Sequence, residues 1–379
     1  MPTANCRVCG KEFFENPLLR YENMPVAAQF FPDRASLDKD KAVPLEVCQC
    51  SGCGLTQLSN DPPPYYREVI RAAAFSEEMR DFRILQFQDF IDRYSLKDKK
   101  IIEIGCGRGE YLSIMKRSGA RVYGIEYSEE SVSHCIKNDF NVSRCFVEDS
   151  DTKLEHSPFD AFFILNYLEH IPHIGTTLQG IANNLTENGI GLIEVPNFDM
   201  ILRKKLFSEF ISDHLFYFTK DTLKTALMTN GFEILESNEI WHDYIISAVI
   251  RKRGRLDISD YSRHQDKIRK EMENYMDRFG HKRVAVWGAG HQALAVIALT
   301  SLADRIKYVI DSAPFKQGKY TPATHLPIVP PETLDHDNVD AIIVMAASYS
   351  DEVFRIIRKK YGNKINVCIL RDHGLEHGA

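Results

Sequence analysis

Lys100-Ile101-Ile102-Glu103-Ile104-Gly105-Cys106-Gly107-Arg108-Gly109, followed by Val122-Tyr123-Gly124-Ile125-Glu126-Tyr127, decides how the chain is read. The apolar run ahead of Gly105 has the continuous hydrophobicity of a buried parallel strand. Glycines at 105, 107 and 109 let the backbone turn tightly and approach a ligand, and the positive end of the following helix faces whatever sits there. Glu126 comes 21 residues after Gly105. It falls at the tip of the next strand, where a carboxylate can accept both hydroxyls of a ribose.

A glycine triplet alone also serves ordinary tight turns. Here Glu103 stands two residues before the first glycine, the turn is G-x-G-x-G, and an acid follows at ribose distance. Together these features resemble the S-adenosylmethionine site of class I methyltransferases. A dinucleotide fold would want a third glycine at 110, where this chain has Glu110, so a pyrophosphate would meet a carboxylate.

The chain has 379 residues, enough for two or three domains, with 44% hydrophobic and 26% charged residues, the balance of a soluble globular protein. A formal charge of −6 argues against a dedicated nucleic-acid binder, which carries a basic excess. The start, Met1 to Cys6, lacks a charged and apolar signal region, and no stretch approaches a membrane span, so a cytoplasmic protein with no membrane partner is expected. In a reducing compartment nine cysteines point away from disulfides.

Five of those cysteines lie in residues 1–75: Cys6-Arg7-Val8-Cys9-Gly10 and Cys48-Gln49-Cys50-Ser51-Gly52-Cys53-Gly54. Two C-x2-C knuckles, each followed by glycine, let four thiolates converge on one zinc, which supplies folding energy that so short a segment lacks. Cys6, Cys9, Cys50 and Cys53 are the expected ligands. Cys48 reads as an inward-facing strand residue, with a C-x-C pairing as the alternative. Four thiolates close the coordination sphere, so the zinc is structural. Eight Lys or Arg against nine Asp or Glu in this segment do not suit a nucleic-acid ribbon. Asn23 to Phe31 is an apolar stretch opened by a turn. Asp61-Pro62-Pro63-Pro64-Tyr65-Tyr66 reads as a stiff linker whose tyrosines suit a substrate-facing edge.

In residues 76–255, apolar positions from Met79 to Ile91 recur at helical spacing ahead of the first strand. Val142 to Val147 reads as a strand ending in Glu148-Asp149, with Asp149 placed for an adenine amino group or, equally, as a solvated loop acid. Phe159 to Leu165 is the fourth strand, and Asn166-Tyr167-Leu168-Glu169-His170 the loop closing over the cofactor. Ile190 to Val195 is the fifth. Ligands bind outside the carboxyl ends of such strands, so Asn166 to His170 and Pro196 onward should line one crevice. Ile211-Ser212-Asp213-His214-Leu215-Phe216-Tyr217-Phe218 then sets an imidazole beside a carboxylate, with Thr219 as the next helix cap and Gly231 as its stop. Near neutral pH such a histidine can take a proton from carbon or oxygen. His214 is the first candidate base, Asp213 its orienting acid and His170 the second candidate.

Residues 256–379 begin with a charged amphipathic helix from Ile258 to Phe279. Val284-Ala285-Val286-Trp287-Gly288-Ala289-Gly290 follows as a second strand and glycine turn, and Asp311 comes 23 residues beyond Gly288. This formally fits a dinucleotide fold, although His291 and Gln292 are bulky where a pyrophosphate would pass. Pro314 to Pro327 carries Lys316, Lys319, Tyr320 and His325, able to hold a diphosphate or else a solvated loop.

Cysteine knuckles ahead of an adenosylmethionine domain, a D-H-L-x-Y-F segment after the fifth strand, and K-Q-G-K-Y-T-P-x-T-H-L-P-I in a second Rossmann-like half together resemble the three-domain sugar C-methyltransferases. The resemblance spans nearly the whole chain. It implies a zinc-binding domain at 1–75, a catalytic class I methyltransferase domain at 76–255, and a Rossmann-like substrate-binding domain at 256–379. It also implies methylation of a carbon beside the ketone of a deoxysugar carried on a nucleoside diphosphate, with a histidine preceded by glutamate acting at the ketosugar. The matching positions are His214 and Asp213.

The donor set implied is Glu103, Gly105, Gly107, Gly109, Glu126, Tyr127, Asp149 and Asn166. The acceptor set implied is Tyr66, Arg71, Tyr217, Lys316, Lys319, Tyr320 and His325. The chain departs from the pattern where glutamate becomes Asp213, where Ile211 replaces a tyrosine, and where Arg71 brings charge in place of a phenol; all three bear on the acceptor. Two other readings stay open: an O-methyltransferase for a sugar or phosphorylated compound, and an NAD-dependent oxidoreductase using the second glycine turn.

Overall fold

A computed structural model of the protein describes residues 3–26, 31–68 and 76–377. Arg71, with the rest of 69–75, and positions 27–30 of the apolar stretch lie outside the described residues. The chain divides into two compact units, Met1–Arg255 and Leu256–Ala379.

In the first unit, β1 (Leu19–Met24), β2 (Val43–Gln49) and β3 (Thr56–Leu58) form an antiparallel meander. Cys48 faces inward from β2, buried. After the linker, Ser76 caps α1 (Glu77–Arg93), its hydroxyl accepting from the Met79 N–H. Then come β4 (Lys100–Ile104), α2 (Glu110–Arg117), β5 (Arg121–Glu126), α3 (Glu129–Lys137), β6 (Asn141–Arg144), β7 (Phe159–Leu165), α4 (Ile174–Asn183) and β8 (Leu185–Pro196). Beyond them lie α5 (Phe198–Lys204), β9 (Phe216–Tyr217), α6 (Lys220–Thr229), β10 (Phe232–Ile240) and β11 (Ile245–Lys252). Thr219 and Thr222 make a reciprocal capping box at α6, and Gly231, at φ +93°, follows its end.

Among the described residues the central sheet has the order β10-β11-β8-β7-β4-β5-β6, parallel except for β11, which runs antiparallel to both neighbours. From β4 the chain steps outward to β5 and β6, then returns to place β7 on the other side of β4. That reversal opens a crevice at the carboxyl ends of β4 and β7. Alternation along β4 sends Ile102 and Ile104 into one core and Ile101 into the other, where α1 contributes Phe87, Phe90 and Ile91. Two-sided burial of this kind explains why the strands read as near-continuous apolar runs.

The amino-terminal meander is not a free-standing module. β3 pairs with β9, Thr56 opposite Tyr217 and Gln57 opposite Phe216, so a segment from beyond the fifth parallel strand completes the small sheet.

The second unit contains α7 (Asp260–Met276), β12 (Val284–Trp287), α8 (His291–Thr300), β13 (Ile306–Ile310), β14 (Ile328–Val329), β15 (Ala341–Val344), α9 (Ser350–Tyr361), β16 (Asn366–Leu370) and β17 (Leu375–His377). Its sheet order is β14-β13-β12-β15-β16-β17, parallel apart from β17. Among the described residues, no helix in either unit is long and apolar enough to cross a membrane.

Candidate active site

The loop after β4 uses its glycines as the sequence expects. Gly105, Gly107 and Gly109 have φ of +73°, +56° and +84°, and Gly109 is the N-cap of α2. Glu126, at the end of β5, is buried and its carboxylate reaches back across the loop. One oxygen accepts from the Gly107 N–H at 2.9 Å, the other from the Tyr127 and Ser128 N–H groups at 2.8 and 3.0 Å. Besides any contact with a ligand, Glu126 therefore pins the glycine turn to the adjacent strand. Gly105, Glu126, Tyr127, Phe146 and Val147 line one recess, together with Arg67 and Tyr167.

Arg67 was not among the residues singled out from the sequence. Its guanidinium lies 5.7 Å from the Phe146 ring centroid and 5.8 Å from that of Tyr127, and it pairs with Glu148 at 2.7 Å. The Tyr167 hydroxyl donates to the Arg67 carbonyl at 2.9 Å. Tyr66 stands edge-on to Phe146 and under the Arg67 guanidinium, packed against residues that line this recess. The planar cation is thus held among three aromatic rings, Tyr66, Tyr127 and Phe146. Asp149, expected near an adenine amino group, accepts instead from the Asp151 N–H and the Thr152 hydroxyl of its own turn. Asn166 leaves β7 at φ +49°, its N–H bonded to the Glu194 carbonyl at 2.9 Å.

A second cluster forms where the loop after β7 meets the segment before β9. The rings of His170 and His214 meet edge to face, centroids 4.8 Å apart. The backbone ties the two loops together, the Leu215 N–H donating to the Glu169 carbonyl at 2.9 Å and the Leu58 N–H of β3 to the Leu215 carbonyl at 2.9 Å. Side-chain donor atoms of Glu169, His170 and His214 all lie within 4.8 Å of one another.

Burial pushes His170 down to about 4, against the opposing pull of Asp213, and His214 down to about 3, with His170 adding to the effect. Both imidazoles are thus neutral proton acceptors throughout the physiological range. The carboxylate set beside His214 in the sequence acts on His170 instead. Asp213 also bonds to the Tyr65 phenol, which burial and this contact hold un-ionised. Tyr217, expected to touch substrate, is buried, and its hydroxyl accepts from the Ile211 N–H at 3.1 Å, so it shapes the loop that carries His214.

Glu169 was quoted in its loop but given no role. It is 1% exposed, and burial raises its carboxyl to about 8. The folded protein therefore holds this proton at neutral pH while the unfolded chain, near the ordinary glutamate value of 4.5, releases it. The stability this group contributes is complete below pH 4.5 and declines as pH rises toward 8. Glu169→Gln, which never ionises, should match the wild type near pH 4.5 and exceed it by up to about 4 kcal/mol at pH 8.5. Denaturant unfolding at both pH values checks this; an offset independent of pH would contradict it.

The four cysteines of the knuckles converge in the first unit. Cys6 and Cys53 sulfurs are 3.7 Å apart, Cys9 and Cys50 sulfurs 3.4 Å, and the four lie within 4.8 Å of one another. Four sulfurs placed about 2.3 Å from a tetrahedral zinc are separated by roughly 3.8 Å, so the cage fits that ion closely. Amide N–H groups of Val8, Gly52 and Cys53 and the Gln57 side chain point at the sulfurs from 3.1 to 3.4 Å, donors suited to thiolate charge. Gly10 and Gly54, at φ +74° and +75°, turn the chain out of each knuckle.

In the second unit the glycine turn has a packing reason of its own. A Cβ on Gly288, at φ +119°, would sit 2.4 Å from the Met345 carbonyl oxygen. The Asp311 carboxylate accepts from the Ala289 and Ala313 N–H groups and from Lys316 Nζ, at 2.8, 2.9 and 2.9 Å. The acid expected for a dinucleotide ribose is thus engaged by its own loop, and Lys316 is spent on that acid. Lys319, Tyr320 and His325 remain exposed on the loop between β13 and β14.

Residues 79–237 match a methyltransferase domain, and residues 252–368 a C-methyltransferase C-terminal domain. The chain is 22% identical to the C-methyltransferase NovU of Streptomyces niveus over 93% of this chain and 91% of that protein. The chain is an S-adenosylmethionine-dependent methyltransferase.

Its seven-stranded and six-stranded sheets are the class I methyltransferase Rossmann-like fold and a second Rossmann-like α/β unit, as the sequence leads one to expect. The methyltransferase is also 35% identical to a ubiquinone biosynthesis O-methyltransferase of Chromobacterium violaceum, across 27% of this chain and 46% of that one. Among solved structures, an S-adenosylmethionine-dependent methyltransferase from Clostridium acetobutylicum aligns with a TM-score of 0.39 at 13% identity, covering 50% of this chain and 96% of that chain.

Proposed function

We propose that this methyltransferase alkylates a carbon beside the ketone of a deoxysugar linked to a nucleoside diphosphate, with His214 as the base and a structural zinc in the Cys6, Cys9, Cys50, Cys53 cage. The observation that carries the reading is the pair of neutral imidazoles, 4.8 Å apart, held beside the crevice at the ends of β4 and β7. The full-length likeness to a C-methyltransferase supports carbon as the acceptor atom. The exposed Lys319, Tyr320 and His325 have the charge and hydroxyl chemistry for a diphosphate.

The recess of Gly105, Glu126, Tyr127 and Phe146 would hold the donor, which supplies a methyl on an already reactive sulfonium. The protein's share is then mainly to orient the acceptor and remove its proton. His214 takes the proton from the carbon beside the ketone and becomes imidazolium. His170 packs against the edge of that ring, and the Asp213 carboxylate acts on His170.

Incubation with methyl-labelled donor and a panel of nucleotide-linked ketodeoxysugars, followed by carbon NMR of the product, tests this directly. A new methyl bonded to the carbon next to the carbonyl is the expected result. A methyl on oxygen would replace the enolate route with the O-methyltransferase reading.

A further inference from the structure

Glu169 lies buried in the turn after β7, and its Oε2 has no hydrogen-bond partner among the described residues. A polar oxygen taken out of water and left unbonded carries a cost, so its retention points to a partner beyond the protein's own side chains, a water or an ion. Its neighbours narrow that choice. Donor atoms of His170 and His214 come within 4.8 Å of the carboxyl group and of each other. The His170 nitrogen that faces Glu169 is Nε2, 3.9 Å from Oε1, too far for a direct hydrogen bond.

Two imidazoles and one carboxyl group are a donor set for a late first-row divalent cation, whereas magnesium and calcium prefer shells of oxygen alone. Around zinc, nitrogen and oxygen ligands at about 2.0–2.2 Å are separated from one another by roughly 3.3 Å. The donors must therefore close by up to roughly 1.5 Å from 4.8 Å, a distance that side-chain rotation covers. The backbone needs no such change, because the Leu215 N–H bonded to the Glu169 carbonyl already ties the two loops together. The His170 ring is held in addition by a hydrogen bond to the Asp213 backbone, the kind of support a ligating histidine takes through its second nitrogen. One side stays open. The His170 side chain is 26% exposed, which gives an ion a way in and leaves a fourth position for solvent.

We propose that Glu169, His170 and His214 form a second metal site, separate from the cysteine cage, for a divalent transition-metal ion of the zinc, cobalt or nickel type. An ion bound there takes the lone pair with which His214 accepts a proton. Metal occupancy and proton removal thus exclude each other, and the filled site switches methyl transfer off. That consequence rests on His214 being the base; the site itself does not.

The test uses full-length protein with zinc already in its cysteine cage. Cobalt(II) is titrated in and followed by calorimetry and by the visible absorption of the bound ion, with magnesium as the comparison. Wild type should take up one further equivalent of cobalt and no magnesium. Glu169→Gln keeps the size and polarity of the side chain, and His170→Asn shortens the reach of one ligand. Each should weaken cobalt binding by at least ~10-fold, since losing a group that merely supports a ligand already costs about 10- to 100-fold. Circular dichroism like that of wild type confirms that both variants are folded. No further equivalent in wild type, or one that both variants retain at full affinity, overturns the site. Methyl transfer should fall as the second equivalent fills and recover when dialysis removes it. Cobalt bound through these residues with no loss of turnover keeps the site and removes His214 as the base.

Discussion

His214→Asn should reduce methyl transfer by roughly 10²- to 10⁴-fold, the range general-base catalysis supplies, while binding of S-adenosylhomocysteine stays at the wild-type level. Asparagine keeps a polar group of similar reach but cannot accept the proton. The split between turnover and donor binding follows from the geometry, because His214 comes from the segment before β9, which contributes no residue to the lining of the Gly105 recess. Exchange of the proton beside the ketone with deuterated water, measured without donor, should fall by the same factor. His170→Asn should act in the same direction but less strongly, since His170 packs against the edge of the base without being the proton acceptor itself. Because both imidazoles titrate far below 6.5, the acidic limb of the wild-type rate profile should lie below pH 5. A limb near 6.5, or full turnover by His214→Asn, would remove His214 as the base.

Stripping the cysteine cage should have a comparable effect from a distance. We expect purified protein to contain about one equivalent of zinc, and Cys50→Ser or strong chelation to unfold the amino-terminal meander, since a structural zinc contributes about 10–16 kcal/mol to such a segment. The loss should reach the histidines along a defined route. Gln57 bonds to Cys6 Sγ and pairs through β3 with β9, and the Leu58 N–H holds the Leu215 carbonyl next to His214. Turnover should therefore fall together with metal content, while the β4 to β8 core keeps its circular dichroism. Metal-free protein with native turnover would show that the cage is not needed to place the base.

Much of this was legible because it is local. Gly105, Gly107 and Gly109 adopt the positive φ angles their spacing suggests, Ser76 and Thr219 cap the helices they precede, and the two C-x2-C knuckles bring four sulfurs together. What could not be read was which side chains far apart along the chain neutralise one another. Asp213 and His214 are neighbours in sequence, yet the carboxylate raises the proton affinity of His170 and bonds to Tyr65. Lys316 looks like a phosphate ligand until folding sets it against Asp311. Tyr217 looks exposed to substrate until β3 covers it.

The sequence alone thus determined the glycine turn, the cysteine knuckles and the succession of parallel strands along the chain, because backbone conformation, capping and two-sided burial depend on residues a few positions apart. Tertiary structure decided the burial that shifts Glu169, His170 and His214 and set Lys316 against Asp311. Those depend on how much water folding removes and which charges it leaves side by side, and neither quantity exists until distant segments have packed.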